Sequence, residues 1–230
     1  TNIEGTYNVL EACKTYEINE LIVTSTSETY GTASYIPIDE DHPKVGQSPY
    51  SASKIAADQL ALSYFRSFDL PVKILRPFNT YGPRQSSRAI IPTIITQVLD
   101  GSTELSLGNL SPTRDLTFVS DTCNSFIEVL NNPNFLGQEV NVGMNEEISI
   151  EDLTLLLAKI LKVDLKIKQE KKRVRPNLSE VNRLRCDNAK LLRETDWKPE
   201  FSLEEGLKET VKWFKKEENL KLYKSNKYNV

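Results

Sequence analysis

Apolar positions along the chain follow two alternating rhythms. Val9, Leu10 and Cys13 recur at helical spacing, which predicts a helix over 6–16, and the apolar run Leu21-Ile22-Val23 predicts a strand over 20–26. A polar loop carrying Pro37 and Pro43 separates these from a long helix over 50–68. A short strand over 72–76 follows. Further on, the pattern gives a helix over 90–99, an extended segment over 103–107 and a strand over 116–119. A helix over 121–130 stops at Asn131-Asn132-Pro133, and a strand over 139–142 comes next. An amphipathic helix over 150–161, with Ser149 or Glu151 near its start, and a last helix over 204–217 complete the series. Strands alternating with helices of these lengths predict βαβ units and a parallel sheet.

In such a sheet, ligands bind outside the carboxyl ends of the strands. Two polar stretches fall there: Ser25-Thr26-Ser27-Glu28-Thr29-Tyr30-Gly31 and the segment RPFNTYGPR from Arg76. The first packs hydroxyls densely around one carboxylate. Alone, it reads equally as an ordinary polar strand end, with Ser25 and Thr29 satisfying backbone groups.

Composition narrows the choice of function. The chain has 230 residues, 39% of them hydrophobic and 27% charged, as in an ordinary globular protein with a sizeable core. A net charge of -3 gives no reason to expect nucleic-acid binding, and no apolar run approaches a membrane span. Nothing at the start has the pattern of a secretory signal. Cys13, Cys123 and Cys186 lack metal-ligand spacing and are expected as reduced thiols in a cytoplasm. His42 is the single histidine, set in the loop DEDHP and expected to be solvated. No mechanism needing paired histidines is open to this chain.

The helix over 50–68 opens SPYSASKIAADQ. Pro49 suits a helix start, and Tyr50 and Lys54, four apart, share a face. A free phenol has a pKa near 10, too high for a base at neutral pH, and a neighbouring ammonium lowers it. Tyr-x-x-x-Lys is therefore a physically sensible base for taking a hydroxyl proton.

Taken in order and spacing with STSETYG and RPFNTYGPR, this helix resembles the extended short-chain dehydrogenase/reductase family, specifically its nucleotide-sugar enzymes. PTRDLTFVSD, RPNLSEV and DWKPEFSLEEGLKETVKWF extend the resemblance over nearly the whole chain. It implies an α/β fold, the C-terminal part of a Rossmann-type parallel sheet with a smaller α/β sugar-nucleotide-binding domain. Residues 1–80 and 112–144 would belong to the former, 81–111 and 145–230 to the latter. NAD is the implied cofactor, touched by Tyr50, Lys54 and Pro77, with Lys54 on the nicotinamide ribose. Thr26, Glu28, Tyr50 and Lys54 are the implied catalytic set. Thr26, Ser27, Asn79, Arg88, Arg114 and Arg175 are the implied substrate contacts, the arginines suiting a diphosphate because a guanidinium bonds its oxygens bidentately. Arg183 and Arg185 are alternatives for the phosphate, and Arg84 and Arg88 read equally as loop surface. The rest of the basic run 168–185 is expected to be solvated, and Trp197 and Trp213 to be core or cap residues.

Thr26-Ser27-Glu28 resembles the arrangement in GDP-mannose 4,6-dehydratases, whereas glucose-type 4,6-dehydratases carry Thr-Asp-Glu. The expected activity is NAD-dependent 4,6-dehydration of a nucleotide-activated hexose. YIPIDEDHP, GQSPYSASK and RPFNTYGPRQS look closest to bacterial enzymes that start legionaminic-acid-type sugar synthesis, which implies UDP- or GDP-N-acetylglucosamine. Alternatives are a UDP-glucuronate decarboxylase, a 4-epimerase, or an inactive fragment that only binds sugar nucleotide or dimerises. The resemblance implies a homodimer through a four-helix bundle of residues 3–16 and 50–68, with Ala52, Ala56, Ala57, Leu60 and Tyr64 at the contact. The nine glycines contain no G-x-G, so the dinucleotide fingerprint of this fold is not in the chain. A truncated enzyme, inactive by itself, is the expectation.

Overall fold

The structure is a computed structural model and describes residues 1–170, 173 and 180–224. Strands β1 (Leu21–Thr24), β2 (Val72–Pro77) and β7 (Glu139–Val142) form a parallel sheet in the order β1-β2-β7. Leu21 pairs with Val72, and Ile74 with Glu139. The two-residue period of β2 divides its side chains between the faces. Val72 and Ile74 pack with Leu10, Ala61, Leu62 and Tyr64 from helices α1 (Asn2–Thr15) and α2 (Pro49–Phe68). On the other face Leu75 packs with Val129 of α4 (Val119–Asn131) and with Leu191 of α6 (Ala189–Glu194). Trp197 closes this layer at 3% exposure, its indole N–H donating to the Asp121 carbonyl at 2.8 Å. Helices thus cover both faces, as a mostly parallel sheet requires.

A second apolar cluster gathers α3 (Ile90–Leu99), α5 (Ile150–Leu161) and α7 (Leu203–Phe214) around Tyr81, Leu105, Leu107 and Phe118. Short strand pairs frame it. β3 (Asn79–Tyr81) runs parallel to β6 (Leu116–Phe118), and β4 (Glu104–Leu107) parallel to β9 (Lys166–Gln169). β5 (Thr113–Arg114) lies antiparallel to β8 (Ile148–Ser149), and a terminal helical turn, α8, spans Glu217–Leu220. Among the described residues no helix is long and apolar enough to cross a membrane, and no His, Cys, Asp and Glu cluster could hold a metal.

Three local expectations change. His42 is 2% exposed, not solvated: its ring accepts the Ser34 amide at 3.0 Å and stacks edge-on with Tyr30. Ala57 and Tyr64 lie on the buried face of α2 at 0% and 7% exposure, so neither faces outward, while Leu60 is half-buried against the same core. Ser25 does not serve the backbone: its hydroxyl donates to the Asp58 carboxylate at 2.6 Å. Thr29 does bond a backbone group, the Thr26 carbonyl, at 2.8 Å.

Candidate functional site

After β1 the chain turns sharply through a 3-10 segment, Ser27–Tyr30, capped by Thr26, whose hydroxyl accepts the Glu28 amide at 3.3 Å. Gly31 ends the turn at φ +64°, a conformation that favours glycine, and a Cβ there would press on the Val45 carbonyl at 3.1 Å. That close passage, with the Val45 amide on the Thr29 carbonyl at 2.9 Å, delivers the chain to Ser48. Ser48 caps α2 through a reciprocal box with Ser51, and Pro49 occupies the first turn. Tyr50 therefore starts its helix beside the turn that carries Thr26 and Glu28.

The Tyr50 ring is 47% exposed, and the Thr26 hydroxyl lies near enough to act on its phenol. Burial raises the phenol pKa, Thr26 lowers it, and the charges of Glu28 and Asp58 raise it further. The net direction is upward. The depressed phenol that the Tyr-x-x-x-Lys spacing suggests is absent from this arrangement, because the Lys54 ammonium donates to the Thr24 carbonyl at 2.6 Å. Pro77 ends β2, so Thr26, Tyr50, Lys54 and Pro77 all stand at the carboxyl ends of β1 and β2. A half-exposed phenol, an ammonium and strand-end backbone fit the nicotinamide and ribose end of a dinucleotide. A glycine turn for its diphosphate is not contained in residues 1–230.

Beside this group lies a cleft of about 260 Å³ lined by Glu28, Asn79, Arg88 and Arg114. Four of the residues singled out from sequence thus meet in one cavity. Ser27 does not: it is 3% exposed and absent from the lining. Arg84 is also absent from it, Arg183 is paired with Glu147, and the Arg185 guanidinium bonds Asn145 at 2.9 Å. Arg175 lies outside the described residues.

The cleft adds residues that the sequence reading did not single out. Arg173 lines it, ion-paired with Glu170 at 3.1 Å, and its carbonyl would sit 2.4 Å from any Cβ at residue 108, so Gly108 permits the approach. Glu180 also lines it and meets Arg114 at 3.3 Å. Arg114 in turn donates to the Thr113 and Val181 carbonyls, both at 2.8 Å, which fixes its fork at the rim. Its neighbour Asp115 is buried and structural, accepting the Met144 and Cys186 amides at 2.7 and 3.0 Å; burial pushes its pKa up to about 7.

Gln85 is the most informative addition. Its side-chain NH₂ donates to the Thr80 carbonyl at 3.0 Å, which sets the amide's orientation. The buried Gln85 Oε1 and Asn79 Oδ1, in the same lining, have no hydrogen-bond partner among the described residues. A buried acceptor without a donor is costly. Two of them suit a ligand rich in hydroxyl or amide donors, and neither suits phosphate. Gln85→Leu is accordingly expected to raise KM for a sugar nucleotide by about 10-fold, the scale of one lost buried hydrogen bond, with kcat nearly unchanged. Steady-state kinetics on the full-length protein checks this.

Residues 1–210 match the GDP-mannose 4,6 dehydratase family, and the chain belongs to this NAD-dependent nucleotide-sugar dehydratase and epimerase group of short-chain dehydrogenase/reductase proteins. It is 32% identical to dTDP-glucose 4,6-dehydratase of Streptomyces griseus over 216 residues, 94% of this chain and 65% of that one. The NAD-bound dTDP-glucose 4,6-dehydratase of Streptomyces venezuelae superposes with a TM-score of 0.86 at 30% identity, over 97% of this chain and 68% of that one. The UDP-glucuronic acid 4-epimerase of Bacillus cereus, solved with UDP-glucuronic acid and NAD, gives a TM-score of 0.87 at 30% identity, with the same 97% and 68% coverage.

Proposed function

We propose that the protein is a cytoplasmic NAD-dependent nucleotide-sugar 4,6-dehydratase acting on UDP- or GDP-N-acetylglucosamine, in legionaminic-acid-type surface-sugar synthesis. The observation that carries the reading is Glu28: it lines the cleft with Asn79, Arg88 and Arg114, in the same short turn as Thr26, which lowers the Tyr50 phenol pKa. One short turn thus serves two proton transfers. Tyr50, assisted by Thr26, takes the proton of the sugar's 4-hydroxyl. Glu28 removes the proton on carbon 5, acidified by the adjacent ketone, and a proton passed back from Glu28, directly or through a water, lets the carbon 6 hydroxyl leave as water. Tyr50, Lys54 and Pro77 would hold the nicotinamide end of NAD, which when bound would supply the hydride acceptor for carbon 4 and the hydride donor for carbon 6. Arg88, Arg114 and Arg175 would bind the diphosphate, with Arg173 added by the structure, while Asn79 and Gln85 accept from the sugar.

The division into 1–80 with 112–144 and 81–111 with 145–230 is part of this reading. It is supported by the separate apolar clusters around β2 and around α3, α5 and α7. Leu191 and Trp197 cross that division to pack on β7.

A 4-epimerase is the second reading, favoured by the likeness to the Bacillus cereus enzyme. Incubating full-length protein with UDP- and GDP-N-acetylglucosamine, UDP-glucuronate and UDP-glucose, followed by mass spectrometry, separates the possibilities. Loss of water supports dehydration. Loss of carbon dioxide identifies a decarboxylase, and turnover without a mass change an epimerase.

The proposal includes a homodimer through α1 and α2. Ile3 and Tyr7, one turn apart on α1, are each 46% exposed, and Ala52 at the start of α2 is exposed too. Asn2 bonds Ser53 at 2.9 Å, which brings these positions onto adjacent surface. Replacing both Ile3 and Tyr7 with Glu would bury like charges across a two-fold contact, and light scattering is expected to show the mass halved. An unchanged mass would exclude this face as the interface.

A further inference from the structure

Arg76 and Asp58 are both fully buried, paired at 2.7 Å. The same Asp58 oxygen receives the Ser25 hydroxyl at 2.6 Å, and Arg76 Nε reaches the Ser25 oxygen at 3.4 Å. Arg76 also donates to the Tyr30 hydroxyl at 2.6 Å and meets Glu139 at 3.0 Å, which Lys44 neutralises at 2.6 Å. Two cations therefore balance two anions inside the protein. Such groups are costly to desolvate, and apolar replacements of the same volume often hold a fold as well or better. Stability alone is a weak reason for them.

Their placement gives a stronger one. Ser25 directly precedes Thr26, and Arg76 directly precedes Pro77. Asp58 lies two helical turns after Tyr50, on the face that also carries Lys54. The cluster ties the end of β1, the end of β2 and the flank of α2 together, one residue away from Thr26. We propose that Ser25, Asp58 and Arg76 form a positioning device for the oxidation step, holding Thr26 in register with the Tyr50 hydroxyl. This rests on the reading of Tyr50 and Thr26 given above. Chemically, the device keeps a donor on the phenolate oxygen as the 4-hydroxyl proton transfers. Without it the phenol loses the Thr26 influence that lowers its pKa and keeps the influences that raise it: burial and the charges of Glu28 from the turn and Asp58 from its own helix. The Lys54 ammonium on the same helix stays on the Thr24 carbonyl.

Ser25→Ala tests this with least disturbance, since it removes one hydroxyl and leaves the Arg76–Asp58 pair in place. Full-length protein with NAD would be assayed on UDP-N-acetylglucosamine, or on whichever compound of the panel above the unmodified protein oxidises. Single-turnover NADH formation is expected to slow roughly 10- to 100-fold, the scale of a misplaced catalytic group, with KM little changed. The rising limb of the pH–rate profile is expected to move to higher pH, and Ser25→Thr to restore both. A merely structural role would lower the melting temperature and leave the rate and the limb of the folded protein unmoved; that result would overturn the proposal. Asp58→Asn provides a second arm, in which the folded fraction is expected to show the same loss of rate at unchanged KM. Tyr50→Phe, run alongside, separates the failures. If it leaves oxidation intact, the reading of the site falls; if it abolishes oxidation while Ser25→Ala is unaffected, only the positioning role falls.

Discussion

Replacing Tyr50 with Phe in the full-length protein is expected to lower the rate of the first hydride transfer by about 10² to 10⁴, the usual cost of removing a general base. The substitution keeps the ring and removes one oxygen. The cap that starts α2 depends on Ser48, Pro49 and Ser51, so the helix and its core face should be unaffected. Tyr50 starts α2 beside the turn that carries Thr26, and the Thr26 hydroxyl acts on its phenol. The pH dependence has a definite sign. Burial and the charges of Glu28 and Asp58 raise the Tyr50 pKa above 10.0, and a base works only when ionised. Oxidation by the unmodified protein should therefore accelerate as pH rises through neutrality and beyond, without levelling below the ordinary phenol range. Stopped-flow absorbance of NADH reads both effects. Near-unmodified turnover by the variant would remove Tyr50 from the mechanism.

The parts of this arrangement that sequence revealed are those with local physical signatures. Helices α3 and α5 and strand β7 start and stop where apolar periodicity places them, and Ser149 caps α5 by accepting the Asp152 amide. By contrast, β5 and β8 are two residues long and β3 three, too short for alternation to register. The last helix was expected to run to 217 but breaks after Phe214, because Lys216 takes an extended conformation before α8.

The same contrast holds within the site. Glu28, Asn79, Arg88 and Arg114 belong to recognisable stretches, and the structure gathers them in one cleft, with Thr26 in the same turn as Glu28. Gln85 and Glu180 fall inside quoted stretches, RPFNTYGPRQS and RPNLSEV, but nothing local marks either as a lining residue, and Arg173 looks like solvated surface of the basic run until the chain folds over it. Buried charge was equally hidden. Arg76 stands in the strand VKILRP, where period-two alternation faces it to Asp58 across α2, and only the fold brings the pair together. The upward direction of the Tyr50 pKa was hidden too, because spacing alone does not reveal that Lys54 reaches the Thr24 carbonyl.

Glu28→Gln is expected to separate two steps that the unmodified protein performs in succession. Glutamine keeps the size and hydrogen bonding of the side chain and removes its capacity as a base. The turn that presents it should persist, because its bonds are to the Glu28 backbone and the Thr26 hydroxyl, not to the carboxylate. Oxidation at carbon 4 needs Tyr50 and Thr26, so a transient rise in NADH absorbance should survive. Removing the Glu28 charge takes away one of the influences that raise the Tyr50 pKa, so the rising limb for oxidation should move to lower pH. Elimination across carbons 5 and 6 should fall by about 10² to 10⁴, and NADH should accumulate for want of an acceptor. In deuterium oxide, product from the unmodified protein should carry deuterium at carbon 5, because the hydrogen is lost to Glu28 and replaced from solvent. A 4-epimerase never touches that hydrogen and would show neither the accumulation nor the label. Dehydration at an unchanged rate in Glu28→Gln, or product without solvent deuterium at carbon 5, would reduce the hydroxyl-rich turn to a polar strand end and leave epimerisation as the better reading.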